Sequence, residues 1–141
     1  MSRIFWDTNL FVYLFEDYGR FSKSVSELRN RMLVRGDQLV TSTITIGEIL
    51  VKPSEKGDKD LCRKYEDAIV RSALLLTFDL KAARSYSQIR GADRYLRAPD
   101  AVQLACAASA GIDLFVTNDH RLDGKTVPGI QFIVSLDRVP I

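Results

Sequence analysis

The stretch RIFWDTNLFVYLFED, residues 3–17, places a polar triplet between two apolar runs. The short run that ends at Trp6 is typical of a buried strand, and the longer run after Asn9 is typical of a helix. One interpretation of the junction is that Asp7 caps a helix that begins at Thr8. The other is that the Asp7 carboxylate contributes to a metal site. The rest of the sequence decides between these interpretations.

Working outward from this stretch, five short apolar runs have the composition of strands. They are Ile4–Trp6, Gln38–Val40, Leu74–Thr77, Leu114–Thr117 and Gln131–Val134. The first, third and fourth runs lack polar alternation, which predicts strands that are buried on both faces.

Segments with the apolar spacing of helices lie between these runs. They cover Ser24–Val34, Asp60–Val70, Leu80–Ile89 and the alanine-rich Ala98–Ala110. The clearest break is PSEKGDKD, residues 53–60, which predicts the loop of a helical hairpin. The alternation of strands and helices predicts one α/β domain over residues 1–141, with a parallel sheet of about five strands and helices on both faces.

The composition favours an ordinary globular protein: 46% of the 141 residues are apolar, 27% are charged and the net charge is +2. No signal peptide or membrane helix is expected, and Cys62 and Cys106 lack a C-x-x-C spacing, which favours reduced thiols in a cytoplasmic protein. Two basic regions, residues 20–35 and 81–97, fit either solvated helix faces or contact with a polyanion such as RNA.

Acidic residues stand where the predicted strands end. Crossovers in a parallel sheet place every carboxyl end along one edge, which is where ligands bind. Asp7 follows the first strand, and Asp119, in TND at 117–119, follows the fourth. Glu48 lies in VTSTITIGEIL, residues 40–50, on the first turns of the helix after the second strand. Asp100 lies in the first turn of the helix RAPDAVQLACAA, residues 97–108.

Each acid also has a purely structural interpretation. Asp7 and Asp119 could cap a helix and a short turn. Thr45 and Glu48 fit the T-x-x-E capping box. Asp100, preceded by a proline, supplies the negative charge that a helix N-terminus favours.

Taken together, four carboxylates at one edge would repel one another and raise one another's pKa. No lysine follows these acids within the same motifs. A hard divalent cation, Mg²⁺ or Mn²⁺, is therefore the simplest counter-charge. Such an ion acidifies water and neutralises charge on a phosphate, which is the chemistry of phosphodiester hydrolysis.

The segments RIFWDTNLFVYLF, TSTITIGEIL and RAPDAVQLACAASAGIDLFVTND, in this order, resemble the PIN domain family, and within it the VapC-type ribonuclease toxins. The resemblance extends from Arg3 to about Val134. It implies a Rossmann-like fold and a metal-dependent endoribonuclease that hydrolyses RNA with Mg²⁺ or Mn²⁺. It also implies the toxin of a type II toxin–antitoxin pair, with a cognate antitoxin and a homodimeric state.

Position by position, the resemblance implies roles for six polar residues. Asp7 and Asp100 are the expected direct metal ligands. Glu48 and Asp119 are expected to contact the ion through water or to complete a second site. The remaining two residues, Asn9 and Thr117, are expected to hold the first and last of these carboxylates.

Other functions compete with this one. A haloacid-dehalogenase-type phosphatase needs D-x-D after the first strand, where this chain has Asn9, and a receiver domain needs a late lysine, where it has Arg138. The main alternative is a PIN-like module that binds RNA or a protein without cleaving. Arg97, next to Asp100, is the expected phosphate-contacting cation, whereas His120 is expected to be an exposed turn residue without a role in catalysis.

Overall fold

The computed structural model describes residues 1–141 and contains a single five-stranded parallel sheet. The strands are β1 (Arg3–Trp6), β2 (Gln38–Ser42), β3 (Leu74–Leu76), β4 (Ile112–Thr117) and β5 (Ile130–Ser135). The helices are α1 (Thr8–Phe15), α2 (Arg20–Arg35), α3 (Thr43–Ile49), α4 (Val51–Glu55), α5 (Lys59–Ser72), α6 (Leu80–Ala92) and α7 (Ala98–Ala110). Every strand and helix segment that the sequence predicts is present.

The strand order is β3-β2-β1-β4-β5, and all neighbouring strands are parallel. The order therefore reverses between β1 and β4, where Phe5 is in register with Phe115 and Trp6 with Val116. The crevice at the carboxyl ends of these two strands is the position at which α/β sheets bind ligands. The predicted α/β fold is confirmed.

The two faces of the sheet carry separate apolar clusters because side chains alternate along β1. Ile4 and Trp6 face α1, α2, α3 and α5, whereas Phe5 faces α6 and α7. On the second face Phe5 stacks on Phe115 with ring centroids 4.9 Å apart. Each of these fully buried side chains contributes roughly 1.5–3 kcal/mol to folding, so the junction at Asp7 stands on a well-packed strand.

Two expectations about the elements need correction. β3 is not buried on both faces: it is an edge strand, and Leu74 is exposed. The break at 53–60 is also shorter than predicted, since Pro53 lies inside α4, where its missing N–H costs nothing in the first turn. The chain leaves helical structure only at Lys56–Asp58, and Gly57 there has a φ of +66°.

Candidate active site

Asp7 lies at the end of β1 and is buried. Its backbone N–H donates to the carbonyl of Val116 at 3.0 Å, which continues the pairing of β1 with β4. Its Oδ1 accepts from the backbone N–H of Thr8 at 2.9 Å, so the predicted N-cap of α1 is present. Its Oδ2 accepts from the hydroxyl of Thr117 at 2.8 Å. Both carboxylate oxygens are therefore fixed by residues at the switch point.

The loop after β4 is held against the start of α1 by two contacts. The Thr117 hydroxyl oxygen accepts from the backbone N–H of Asp119 at 3.1 Å, so it connects that residue to Asp7. Asn9 Oδ1 accepts from the backbone N–H of Asn118 at 3.3 Å. Thr117 thus contacts Asp7 directly, whereas Asn9 holds the loop and no carboxylate.

Glu48 is brought to the same edge by α3. Its Oε1 accepts from the hydroxyl of Thr8 at 2.7 Å, and Glu48 is exposed. The expected capping box is wrong, because α3 begins at Thr43 and Thr45 is a buried residue inside it. The hydroxyl of Thr45 instead accepts from that of Thr41 at 2.8 Å. Glu48 is consequently free of a capping role.

Gln103, which the sequence analysis did not identify, connects α7 to β2, α3 and α1 through buried hydrogen bonds. It is 2% exposed and lies on the inner face of α7. Its Nε2 donates to Thr45 Oγ1 at 2.7 Å and to Thr8 Oγ1 at 3.2 Å, and its Oε1 accepts from the Ser42 hydroxyl. The only signal in the sequence is one amide in an alanine-rich helix, a pattern that an exposed glutamine would also give.

Asp100 and Asp119 are neutralised by arginines. Arg97 Nε lies 3.1 Å from Asp100 Oδ2, and its Nη2 lies 3.9 Å from Asp119 Oδ2. Arg121 binds Asp119 through two contacts, Nε to Oδ1 at 2.9 Å and Nη2 to Oδ2 at 2.6 Å. The hydrogen bond and charge of Arg121 hold the pKa of the Asp119 carboxyl below its usual range. For these two acids the counter-charge in the structure is therefore an arginine, not the divalent cation that the sequence analysis gave as the simplest one.

Asp7 has no such cation. Burial raises the pKa of its carboxyl to about 6, and the hydrogen bonds from Thr117 and the Thr8 backbone only partly oppose this effect. The negative charges of Asp100 and Glu48 raise the pKa further. The structure therefore brings Asp7 within electrostatic range of two of the other three predicted site residues.

The four carboxylates lie along one edge without enclosing a common point. No three histidine, cysteine, aspartate or glutamate side chains in the chain are grouped closely enough to hold an ion together. Their chemistry nevertheless fits a hard divalent cation, which prefers carboxylate oxygens and would offset the cost of ionising the buried Asp7. Asp7 and Glu48 are the two of these acids that no arginine or lysine neutralises, whereas Asp100 and Asp119 have arginine partners.

A comparison with models of protein families shows which family the chain belongs to. The model described as "PIN domain" matches residues 4–126. The chain belongs to the PIN domain family. The matched range contains all four acidic residues, Asp7, Glu48, Asp100 and Asp119. The resemblance inferred from the motifs is thus confirmed at the level of the family.

Solved structures show the same PIN-domain fold. VapBC2 from Rickettsia felis, bound to a promoter DNA fragment, is 17% identical over 94% of this chain and 98% of its own, with a TM-score of 0.75. DNA-bound VapBC from Salmonella typhimurium is 21% identical over 96% and 99%, with a TM-score of 0.74. A toxin-antitoxin complex from Klebsiella pneumoniae is 19% identical over 93% and 99%, with a TM-score of 0.62. No curated protein sequence matches the chain.

The remaining polar residues of this PIN domain have local roles. His120 is exposed, and its Nδ1 lies 2.9 Å from Asp123 Oδ2. Asp79 caps α6 by accepting from the backbone N–H of Ala82 at 2.9 Å. None of the helices has the length and apolar character needed to cross a membrane.

Proposed function

We propose that this PIN domain, spanning residues 1–141, is a metal-dependent endoribonuclease that hydrolyses RNA phosphodiester bonds. The observation that carries the proposal is the state of Asp7: a buried carboxylate, fixed through both oxygens, whose pKa is raised by burial and by Asp100 and Glu48. Ionising such a buried group costs the fold stability. An anion kept at this cost at a switch point is typical of a functional site.

The residues that would hold Mg²⁺ or Mn²⁺ are Asp7 and Asp100, with Glu48 and Asp119 acting through water or completing a second site. When bound, such an ion would acidify a water molecule and neutralise the charge that builds on the phosphate. The chain itself supplies rigidity, because Thr117 fixes Asp7 and Thr8 fixes Glu48.

Arg97 is the proposed contact for the RNA phosphate. Its side chain is 58% exposed and lies beside Asp100, so a guanidinium charge stands next to a proposed metal ligand. A planar guanidinium with five N–H donors matches the oxygens of a phosphate well.

The proposed biological role is the toxin of a type II toxin–antitoxin pair in the cytoplasm. The support is that the similar solved structures are VapBC proteins and a toxin-antitoxin complex, and that the fold likeness extends over nearly the whole chain. On this proposal the chain binds a cognate antitoxin and forms a homodimer. Co-expression with the protein encoded beside it, followed by co-purification, tests the antitoxin directly.

The decisive experiment is an RNA cleavage assay with the purified protein in Mg²⁺, in Mn²⁺ and in chelator. We expect the wild type to cleave RNA when either metal is present and not in chelator. Asp7→Asn and Asp100→Asn should each lower the cleavage rate by at least ~100-fold, because losing a metal ligand should cost no less than losing a residue that supports a ligand. Asp60→Asn is the matched control, since the Asp60 side chain is 96% exposed on α5. Equal cleavage by Asp7→Asn would end the catalytic assignment.

One observation favours the alternative, a PIN-like module that binds RNA or a protein without cleaving. Arg97 and Arg121 already pair with Asp100 and Asp119, as they would in a site that needs no ion. RNA binding without cleavage in either metal, together with a melting temperature that neither metal moves, would establish this alternative instead.

A further inference from the structure

A groove of about 260 Å³, with charged residues on both walls, lies beside Asp100. One wall is the loop from Asp93 to Arg97, which precedes α7, and the other is the segment from Arg121 to Lys125, which follows β4. Asp100 itself lines the groove, so the groove opens directly onto the candidate active site.

Three cations line this groove: Arg97, Arg121 and Lys125. The two arginine side chains are 58% and 60% exposed, so both keep N–H groups available to a ligand. The carboxylates that line the groove are Asp93 and Asp100. Asp119 also pairs with Arg121 and Arg97, so cations and acids are equal in number here. A phosphate would therefore be bound through the exposed N–H groups of the two arginines, which match phosphate oxygens well, rather than through an excess of positive charge.

Tyr95 stands at the rim with 82% of its surface exposed. The Arg94 guanidinium lies 5.0 Å from the ring centroid and donates to the Tyr95 hydroxyl at 2.9 Å, so it covers one face of the ring. The large remaining exposure leaves the opposite face open. The fold does not need this aromatic side chain, because the adjacent Leu96 supplies the buried anchor of the loop.

The two walls are fastened together by Asp93. Its Oδ1 accepts from the backbone N–H of Tyr95 at 3.2 Å, and its Oδ2 pairs with the ammonium group of Lys125. The backbone of the loop that carries Tyr95 is therefore joined to the wall that carries Lys125 before any ligand arrives. Such preorganisation lowers the entropic cost of binding.

We propose that this groove binds one nucleotide of single-stranded RNA next to the cleaved bond, with its base stacked on Tyr95 and its phosphate bound by Arg97, Arg121 and Lys125. The inference rests on the proposed ribonuclease function and adds the position of a substrate subsite. Unpaired bases stacked on aromatic rings, with the backbone following cations, are the usual mode of single-strand recognition.

The test is fluorescence anisotropy with a labelled single-stranded oligoribonucleotide in chelator, so that binding is measured without cleavage. We expect Tyr95→Ala to weaken binding by about fivefold or more, since a stacked base contributes roughly that factor or a larger one. Tyr95→Phe should bind like wild type because the ring is retained. Phe132→Ala is the matched control, an exposed aromatic residue on β5 that does not line the groove.

The proposed phosphate contacts are tested separately, by the salt dependence of RNA binding. Replacing Lys125 by glutamine should reduce the slope of log Kobs against log salt by about 0.7, the value for one phosphate contact on a single strand. Lys64→Gln, at an exposed position on α5, should leave the slope unchanged.

The outcomes separate the two proposals. If wild type cleaves RNA while Tyr95→Ala binds and cleaves like wild type, the subsite is wrong and the ribonuclease function stands. If wild type neither binds nor cleaves RNA, both are wrong. If Tyr95→Ala keeps its RNA affinity but changes the oligomeric state in gel filtration, the groove is a protein contact and the subsite is again wrong.

Discussion

At the scale of single residues, Asp7 combines a structural and a chemical property. Its carboxylate caps α1 and accepts from Thr117, and both roles follow from its place at the end of β1. The same place buries it, and burial is the main reason that its pKa rises to about 6. The capping and metal-site interpretations of the RIFWDTN stretch are thus compatible rather than exclusive.

This raised pKa makes stability depend on pH. Between pH 3.8, the ordinary pKa of an aspartate, and about pH 6, the pKa of Asp7 in the fold, the folded state binds more protons at Asp7 than the unfolded state does. The favourable contribution is therefore complete below about pH 4 and is lost as the pH rises through 6, a fall of about 3 kcal/mol in the free energy of unfolding. Asp7→Asn cannot ionise, so it should lack this fall and gain stability relative to wild type at pH 7.

Urea unfolding of both proteins in chelator, at intervals from pH 4 to pH 8, measures this difference. Asparagine is also a good N-cap, so the substitution should keep the start of α1 intact. Subtracting the two curves removes the contributions of the titrating groups that do not interact with Asp7. Parallel curves would show that Asp7 ionises like an ordinary aspartate.

At the scale of elements, the sequence predicts which segments are helices and strands but not which of their polar residues meet. The caps at Asp7, Asp79 and Asp119 are local and could be predicted. The contacts of Gln103 could not, because its partners on β2, α3 and α1 are 58 to 95 residues away. The edge position of β3 also depends on strand order, which its three leucines do not encode.

Gln103 offers a prediction about how α7 is joined to α1 and α3. Gln103→Met keeps the length and volume of the side chain but leaves the buried Ser42 hydroxyl without its partner and removes a donor from Thr45. Loss of a partner for a buried polar group costs about 1–3 kcal/mol, and urea unfolding measures it.

The matched control is Gln88→Met, at an exposed position on α6, which should stay within about 0.5 kcal/mol of wild type. A Gln103→Met protein as stable as wild type would mean that this network does not hold the three elements together.

At the scale of the whole molecule, the topology assembles the candidate site from residues that are up to 112 positions apart, Asp7 and Asp119 being the extremes. This assembly could be predicted, because parallel crossovers place all carboxyl ends on one edge. The arginine pairs could not, since an arginine side chain is long enough to reach several neighbours. Arg121 is two residues from Asp119 and Arg97 is three from Asp100, spacings that permit contact without requiring it.

Metal binding should therefore appear as a stabilisation of the whole fold that depends on the charge of Asp7. An ion that binds only the folded state raises the free energy of unfolding by ~2.7 kcal/mol at a hundredfold excess over its dissociation constant. Because the ion needs ionised carboxylates and the pKa of Asp7 is about 6, the gain should be larger at pH 8 than at pH 5. Thermal unfolding with Mg²⁺ or Mn²⁺, against NaCl of equal ionic strength, measures it. Asp7→Asn should lose most of this metal-dependent stabilisation, and the control Asp60→Asn should keep it. If neither ion changes the melting temperature of the wild type at pH 8, the acidic edge binds no metal.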